Sequence, residues 1–167
     1  MKKMTEKNLW DAFAGESQAH MKYMIFAEQA AKENLREVAR LFRANSYAEQ
    51  IHARNHLRAL GEIKSTAENV AAAVDGEDFE VDEMYAAYIK IAQEQDEKQA
   101  ELSTTWALAA EKVHAELYRQ AKEALSQGKD LEIGPIYVCP VCGFTMEGDA
   151  PEKCPVCNTP REKFSEF

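Results

Sequence analysis

The sequence predicts an all-α protein, a four-helix bundle with one long crossover, followed by a small C-terminal domain built on four cysteines. Three observations carry that prediction. Residues 1–134 contain no proline and are rich in Ala, Glu, Gln, Lys and Leu, which is the composition of helices. Apolar residues recur there at alternating steps of three and four, the spacing that lines one helix face. All the prolines (135, 140, 151, 155, 160) and all the cysteines (139, 142, 154, 157) lie beyond residue 134, where turns replace helical periodicity. The polar stretch Gln127–Pro135 marks the boundary, dividing the chain into 1–134 and 135–167.

Composition narrows the function classes. Hydrophobic residues at 46% and charged residues at 29% fit a globular chain and not a disordered one. No apolar run is long enough to span a membrane. A net charge of −9 argues against nucleic acid and anionic membrane as partners. The opening MKKMTEKNLWDAFAGE has lysines with no apolar core behind them, so no signal peptide is expected and the cytoplasm is the default compartment.

Start and stop signals place the helices in order. The first is predicted from about Thr5 to Lys32. Asn34, with Glu37 three residues on, matches a capping box that starts a second helix reaching Leu60, where Gly61 stops it. Ser65 with Glu68 predicts a short helical turn within the 61–76 link. A third helix is predicted from Asp75–Glu77 to Gln95. Asp96, with Gln99 at the matching offset, starts the fourth, which ends near Gln127–Gly128. Short breaks between the first and second pairs with a longer crossover in the middle give the ferritin-like plan.

Chemistry appears inside the apolar stripes. Each stripe should face the core, yet each carries glutamate at its middle: Glu16, Glu49, Glu77 and Glu111. An unpaired buried carboxylate is very costly, so inward-facing charges call for a compensating cation. The pattern is also duplicated. In each half a lone Glu on one helix is followed by Glu-x-x-His on the next, as Glu49-x-x-His52 and Glu111-x-x-His114. Carboxylates from all four helices with two such histidines are the donor set of dinuclear iron and manganese bundles. In a glutamate-rich chain one Glu-x-x-His means little, and most glutamates are solvated; the matched repeat outweighs that reading. His20 and His56 lie one turn from proposed ligands and read as orienting or partly exposed histidines. Tyr23 and Tyr85 are candidates to donate hydrogen bonds to ligand carboxylates, or ordinary core aromatics.

In the tail, Cys139-Pro-Val-Cys142-Gly and Cys154-Pro-Val-Cys157-Asn form two knuckles. Together they offer a tetrahedral four-thiolate site for zinc or a single iron, with disulfides the weaker reading. Zinc would make a structural ribbon and iron an electron carrier. The neighbouring redox-metal pattern favours iron.

With these residues in view, the chain resembles the rubrerythrin family. The resemblance rests on GESQAHMKY around Glu16, YAEQIHARNH around Glu49 and His52, GEDFEVDEMY around Glu77 and Glu80, and AEKVHAELY around Glu111 and His114. The tail YVCPVCGFTMEGDAPEKCPVC resembles the family's rubredoxin-type domain. The resemblance implies a diiron site of Glu16, Glu49, His52, Glu77, Glu80, Glu111 and His114, with Glu80 supplied by the resemblance alone. It implies one iron on Cys139, Cys142, Cys154 and Cys157. It further implies reduction of hydrogen peroxide to water, protecting an anaerobic or microaerophilic cell from oxidative stress. Electrons would come from NAD(P)H through a reductase or rubredoxin. An exchange of one iron between Glu80 when oxidised and His52 when reduced is also implied. Protons would pass through the carboxylate and tyrosine shell. An intrachain path from the tail along the bundle is read as long, so a head-to-tail homodimer is expected, with helix pairs exchanged between subunits as a variant. Iron storage with a zinc ribbon is the competing function, and visible absorption of the tail separates the two.

Overall fold

A computed structural model describes all residues, 1–167. The chain divides into two compact units, Met1–Lys64 and Ser65–Phe167. The first unit is a hairpin of two long helices, α1 (Lys3–Lys32) and α2 (Arg36–Leu60). Its seam is made of small side chains: Ala27, Ala30, Ala39, Ser46 and Ala53 are buried. Small residues let the two backbones approach closely. Larger apolar residues flank the seam, with Tyr23, Phe26 and Phe42 in mutual ring contact at 5.6–6.5 Å between centroids.

The second unit opens on Ser65, which caps α3 (Thr66–Phe79) through a complete capping box with Glu68. A π-helical turn, Glu80–Met84, follows, and α4 (Tyr85–Glu94) continues it. All three segments pack along α5 (Lys98–Ser126). Gln93 donates to Glu101 at 2.7 Å, and Arg119 bonds to Asp78, tying the two sides together. The helical turn expected at Ser65–Glu68 therefore does not stop. It runs on into the helix that carries Glu77, so the connection after Leu60 is itself largely helical.

Asn34 and Asp96 act differently from the expected caps. Each ends the preceding helix in a left-handed conformation, φ 62° at Asn34 and 55° at Asp96. The next residue's N–H then reaches back to the carbonyl five positions earlier, Leu35 to Ala30 at 2.8 Å and Glu97 to Ala92 at 2.9 Å. Gly61 and Gly128 close α2 and α5 in the same way. Asparagine and aspartate tolerate this region better than other side chains, so they serve where glycine would. The breaks fall where expected; the residues terminate helices instead of starting them.

Some of the larger apolar side chains on the helices are partly open: Val38 is 43% exposed and Ile91 54%. Two helices in contact bury only a narrow seam, which the alanines occupy.

In the tail, β1 (Ile136–Val138) is the middle strand of a small antiparallel sheet, flanked by β2 (Thr145–Glu147) and β3 (Ser165–Glu166). Two equivalent turns hold the cysteines. Gly143 N–H bonds to Cys139 O and Asn158 N–H to Cys154 O, both at 2.9 Å, and Gly143 and Asn158 both have positive φ. No helix is long and apolar enough to cross a membrane.

Candidate metal centres

In the first unit, α1 supplies Glu16 and α2 supplies Glu49 and His52, with one donor atom of each within 4.8 Å of the others. His52 Nδ1 lies 2.9 Å from Glu49 Oε2. The three-residue spacing places both on one face of α2, where a turn brings them together. His20 is drawn elsewhere. Its Nδ1 lies 2.9 Å from both the hydroxyl and the carbonyl oxygen of Ser46, and that fully buried hydroxyl also donates to His20 O at 3.0 Å. His20 thus pins α1 to α2. Tyr23 packs its ring on Phe42, and the structure shows no hydrogen bond from it to a ligand carboxylate. His56 is half-buried on α2.

In the second unit, Glu77 from α3 and Glu111 and His114 from α5 form a matching triad within 4.8 Å. His114 Nδ1 lies 2.5 Å from Glu111 Oε2 and 3.9 Å from Glu77 Oε2. Glu77 Oε2 is buried and has no hydrogen-bond partner. Burial, a hydrogen bond with Glu111, and the charges of Glu111 and Glu80 push the Glu77 carboxyl up to about 7. Burial and the Glu111 charge raise Glu80 as well, although His114 opposes the rise. Glu80 opens the π-helical turn, with Tyr85 N–H bonded to its carbonyl. Such turns widen the helix and commonly occur at functional positions. Tyr85 is also raised, by burial first and then by Glu80, Glu111 and Glu77, so its phenol stays protonated beside these carboxylates.

Crowded, partly buried carboxylates that raise one another's pKa, with an orphaned oxygen among them, fit a multivalent cation. Imidazole at the edge of each triad suits iron.

The cysteines converge on one point. Their sulfurs lie within 4.8 Å of one another, at 3.5 Å for Cys139–Cys157 and for Cys142–Cys154. Disulfide sulfurs would be about 2 Å apart. A tetrahedron with metal–sulfur bonds of about 2.3 Å has edges of about 3.8 Å, close to what is seen. Burial pushes the Cys142 and Cys154 thiols up. It acts the same way on Cys157, but hydrogen bonds from Thr159 and the neighbouring thiols outweigh it and bring that thiol to about 6. One thiolate forms readily, then, while the buried ones need a cation.

The tail sits against α5 of its own chain. Trp106 packs on the cysteine cluster, and Thr145 Oγ1 lies 2.8 Å from His114 Nε2. The path from tail to helical ligands, read as long, is short in this unit. Neither contact was legible beforehand, because Thr145 and His114 are 31 positions apart and neither motif contains the other.

Two carboxylate–histidine triads on long helices, with a four-thiolate domain docked beside one of them, define a redox-type carboxylate metalloprotein. Comparison with known proteins narrows the class. The Rubrerythrin family model matches residues 7–122, and the model for the rubrerythrin rubredoxin-like domain matches residues 137–165. The chain belongs to the rubrerythrin family. Rubrerythrin-2 of Clostridium acetobutylicum is 39% identical, covering 98% of this chain and 97% of that protein. Nigerythrin of Nitratidesulfovibrio vulgaris is 34% identical, covering 98% and 86%. The solved structure of nigerythrin in its fully reduced, all-ferrous state aligns with a TM-score of 0.55, 34% identity and the same coverage. The fold is ferritin-like and mostly helical, and the chain carries the ligand groups of a diiron site and a four-cysteine site for one iron.

Proposed function

We propose that this protein is a diiron peroxidase that reduces hydrogen peroxide to water and is re-reduced through its four-cysteine iron. The observation that carries the reading is the docking of the thiolate cluster, through Trp106 and Thr145, on the helix that holds Glu111 and His114. A storage protein has no use for a one-electron centre at that position.

The proposed diiron ligands are Glu16, Glu49 and His52 of the first triad and Glu77, Glu111 and His114 of the second, with Glu80 as a further carboxylate donor. Bound there, two irons would supply an electron each and a Lewis-acid surface for the peroxide oxygens. The chain's own residues do the rest. Glu16, Glu49, Glu77 and Glu111 hold the cations with oxygen donors that also neutralise their charge. His52 and His114 fill the remaining positions. Tyr85, protonated and beside Glu80, can hand a proton to a leaving oxygen; Tyr23 is the corresponding candidate in the first unit. His52 is the more exposed histidine and has no partner on its outer nitrogen, which supports its exchange with Glu80 as a redox-dependent ligand. NAD(P)H, acting through a reductase or rubredoxin, is the proposed electron source, and a cytoplasmic homodimer the working form. Half-exposed Met21, Ile25, Phe26 and Leu41 support association. The domain boundary is placed between residues 134 and 135.

The test is peroxide consumption coupled to NADH oxidation with a reductase and rubredoxin. Turnover that requires both the helical iron and the red ferric tail supports the reading. A colourless zinc tail with iron uptake and no peroxide turnover would favour storage.

A further inference from the structure

Thr145 is buried in β2, yet its side chain is neither a proposed metal ligand nor part of the thiolate cluster. Its hydroxyl makes two contacts. It donates to the Gly143 carbonyl at 3.0 Å and lies 2.8 Å from His114 Nε2. A hydroxyl has one proton and accepting lone pairs. With that proton on Gly143 O, the oxygen is left as an acceptor, so His114 Nε2 must bring the hydrogen. In a neutral imidazole the other nitrogen is then bare. That nitrogen, Nδ1, faces Glu111 Oε2 at 2.5 Å and Glu77 Oε2 at 3.9 Å, so its lone pair is directed at the two carboxylates with which it would share an ion.

We propose that Thr145 is a positioning residue for the helical metal centre: it accepts the Nε2–H of His114 and so holds the Nδ1 lone pair toward the ion held by Glu77 and Glu111. The inference rests on reading that triad as metal-holding. Thr145 follows Gly143 and Phe144, so the same hydroxyl ties the first cysteine knuckle to the ligand. The carbonyl it bonds belongs to the residue after Cys142. One side chain therefore orients a ligand and registers the tail on α5. His52, the corresponding ligand in the first unit, has no such anchor, which makes the two histidines inequivalent within one chain.

Partners that fix a ligating imidazole typically change metal affinity by about 10–100-fold when removed. Thr145→Val keeps the shape and removes the hydroxyl; Thr145→Ser keeps the hydroxyl and removes the methyl. In the full-length protein, Zn2+ affinity of the helical site is measured by competition titration with the tail already loaded with zinc. Exchange of the His114 Nε2–H with solvent is followed by nitrogen-15 NMR of the zinc-filled protein. Thr145→Val should lose about 10-fold or more in Zn2+ affinity and show rapid Nε2–H exchange. Thr145→Ser should stay near wild type in both. A packing role predicts the reverse order, with Val tolerated and Ser impaired, and that order would overturn the proposal. Unchanged affinity and exchange in Thr145→Val would overturn it as well. Failure of the wild-type protein to bind zinc in the helices would instead refute the metal site on which it stands.

Discussion

Glu77 Oε2 lies 3.9 Å from His114 Nδ1, buried and without a hydrogen-bond donor. Both residues turn toward Glu111, yet nothing in the polypeptide satisfies the Glu77 oxygen. An oxygen left in this state is costly in the absence of an ion, and its cost depends on pH.

That dependence has a definite sign. A carboxyl held at about 7 in the fold, above its ordinary range, favours the folded state when protonated. Its contribution is fully present below the ordinary carboxylate pKa and is lost as pH rises through about 7. With the helical metals removed, thermal stability should therefore fall between pH 5 and pH 8. Glu77→Gln should flatten that decline, and metal should reverse it because the bound ligands are deprotonated. Melting curves across this range check the sign; a metal-free protein that gains stability toward pH 8 through Glu77 would contradict it.

Replacing a proposed ligand carboxylate in either unit should remove metal and activity together. Glu49→Ala and Glu111→Ala should each lose most of the helical iron and reduce peroxide turnover by at least about 100-fold, while the tail keeps its iron. Iron analysis alongside the rate assay reads both. Full helical iron in either variant would mean that the site is misplaced.

Cys142→Ser should separate the two centres in the opposite direction. The tetrathiolate absorption and NADH-linked turnover should disappear, with helical iron retained. Turnover at the wild-type rate from the same electron chain would remove the relay role.

Ser46 and His20 give a purely structural prediction. The Ser46 hydroxyl is fully buried and bonds to both the ring and the carbonyl of His20. Ser46→Ala should destabilise the hairpin by about 1–3 kcal/mol, measured by denaturant unfolding, and leave metal content unchanged. Loss of iron in that variant would show that His20 acts on the site as well as on the seam.

Much of this architecture was legible in the residues. Glu-x-x-His recurs with matched spacing because a helical turn needs three residues to bring a carboxylate and an imidazole together. The cysteine knuckles are legible because each thiolate pair is local. Helix breaks at Asn34 and Asp96 were visible, but their role was not, since a residue that caps a helix start also tolerates the left-handed end of the previous one. Fusion of the Ser65 turn with the helix carrying Glu77 was hidden, because Ala-rich segments hold a helix without a distinct stripe. Glu80 shares the stripe of Glu77 one turn on, but nothing in the spacing marked it as a ligand, and the π-helical turn that it begins leaves no sequence signal. The His114–Thr145 and His20–Ser46 contacts join residues distant in sequence, and no local pattern announces them.

In the proposed reaction, peroxide takes its electrons from the helical centre and the tail resupplies them. The most direct measurement is anaerobic stopped-flow mixing of the fully reduced protein with one equivalent of hydrogen peroxide, following the ferric-tetrathiolate absorption. Wild-type protein should consume peroxide and then turn red as the tail iron gives up its electron. Glu111→Ala, with its tail iron intact, should stay colourless over the same interval. Equal rates of reddening in the two proteins would show that peroxide oxidises the tail directly, and would contradict the account.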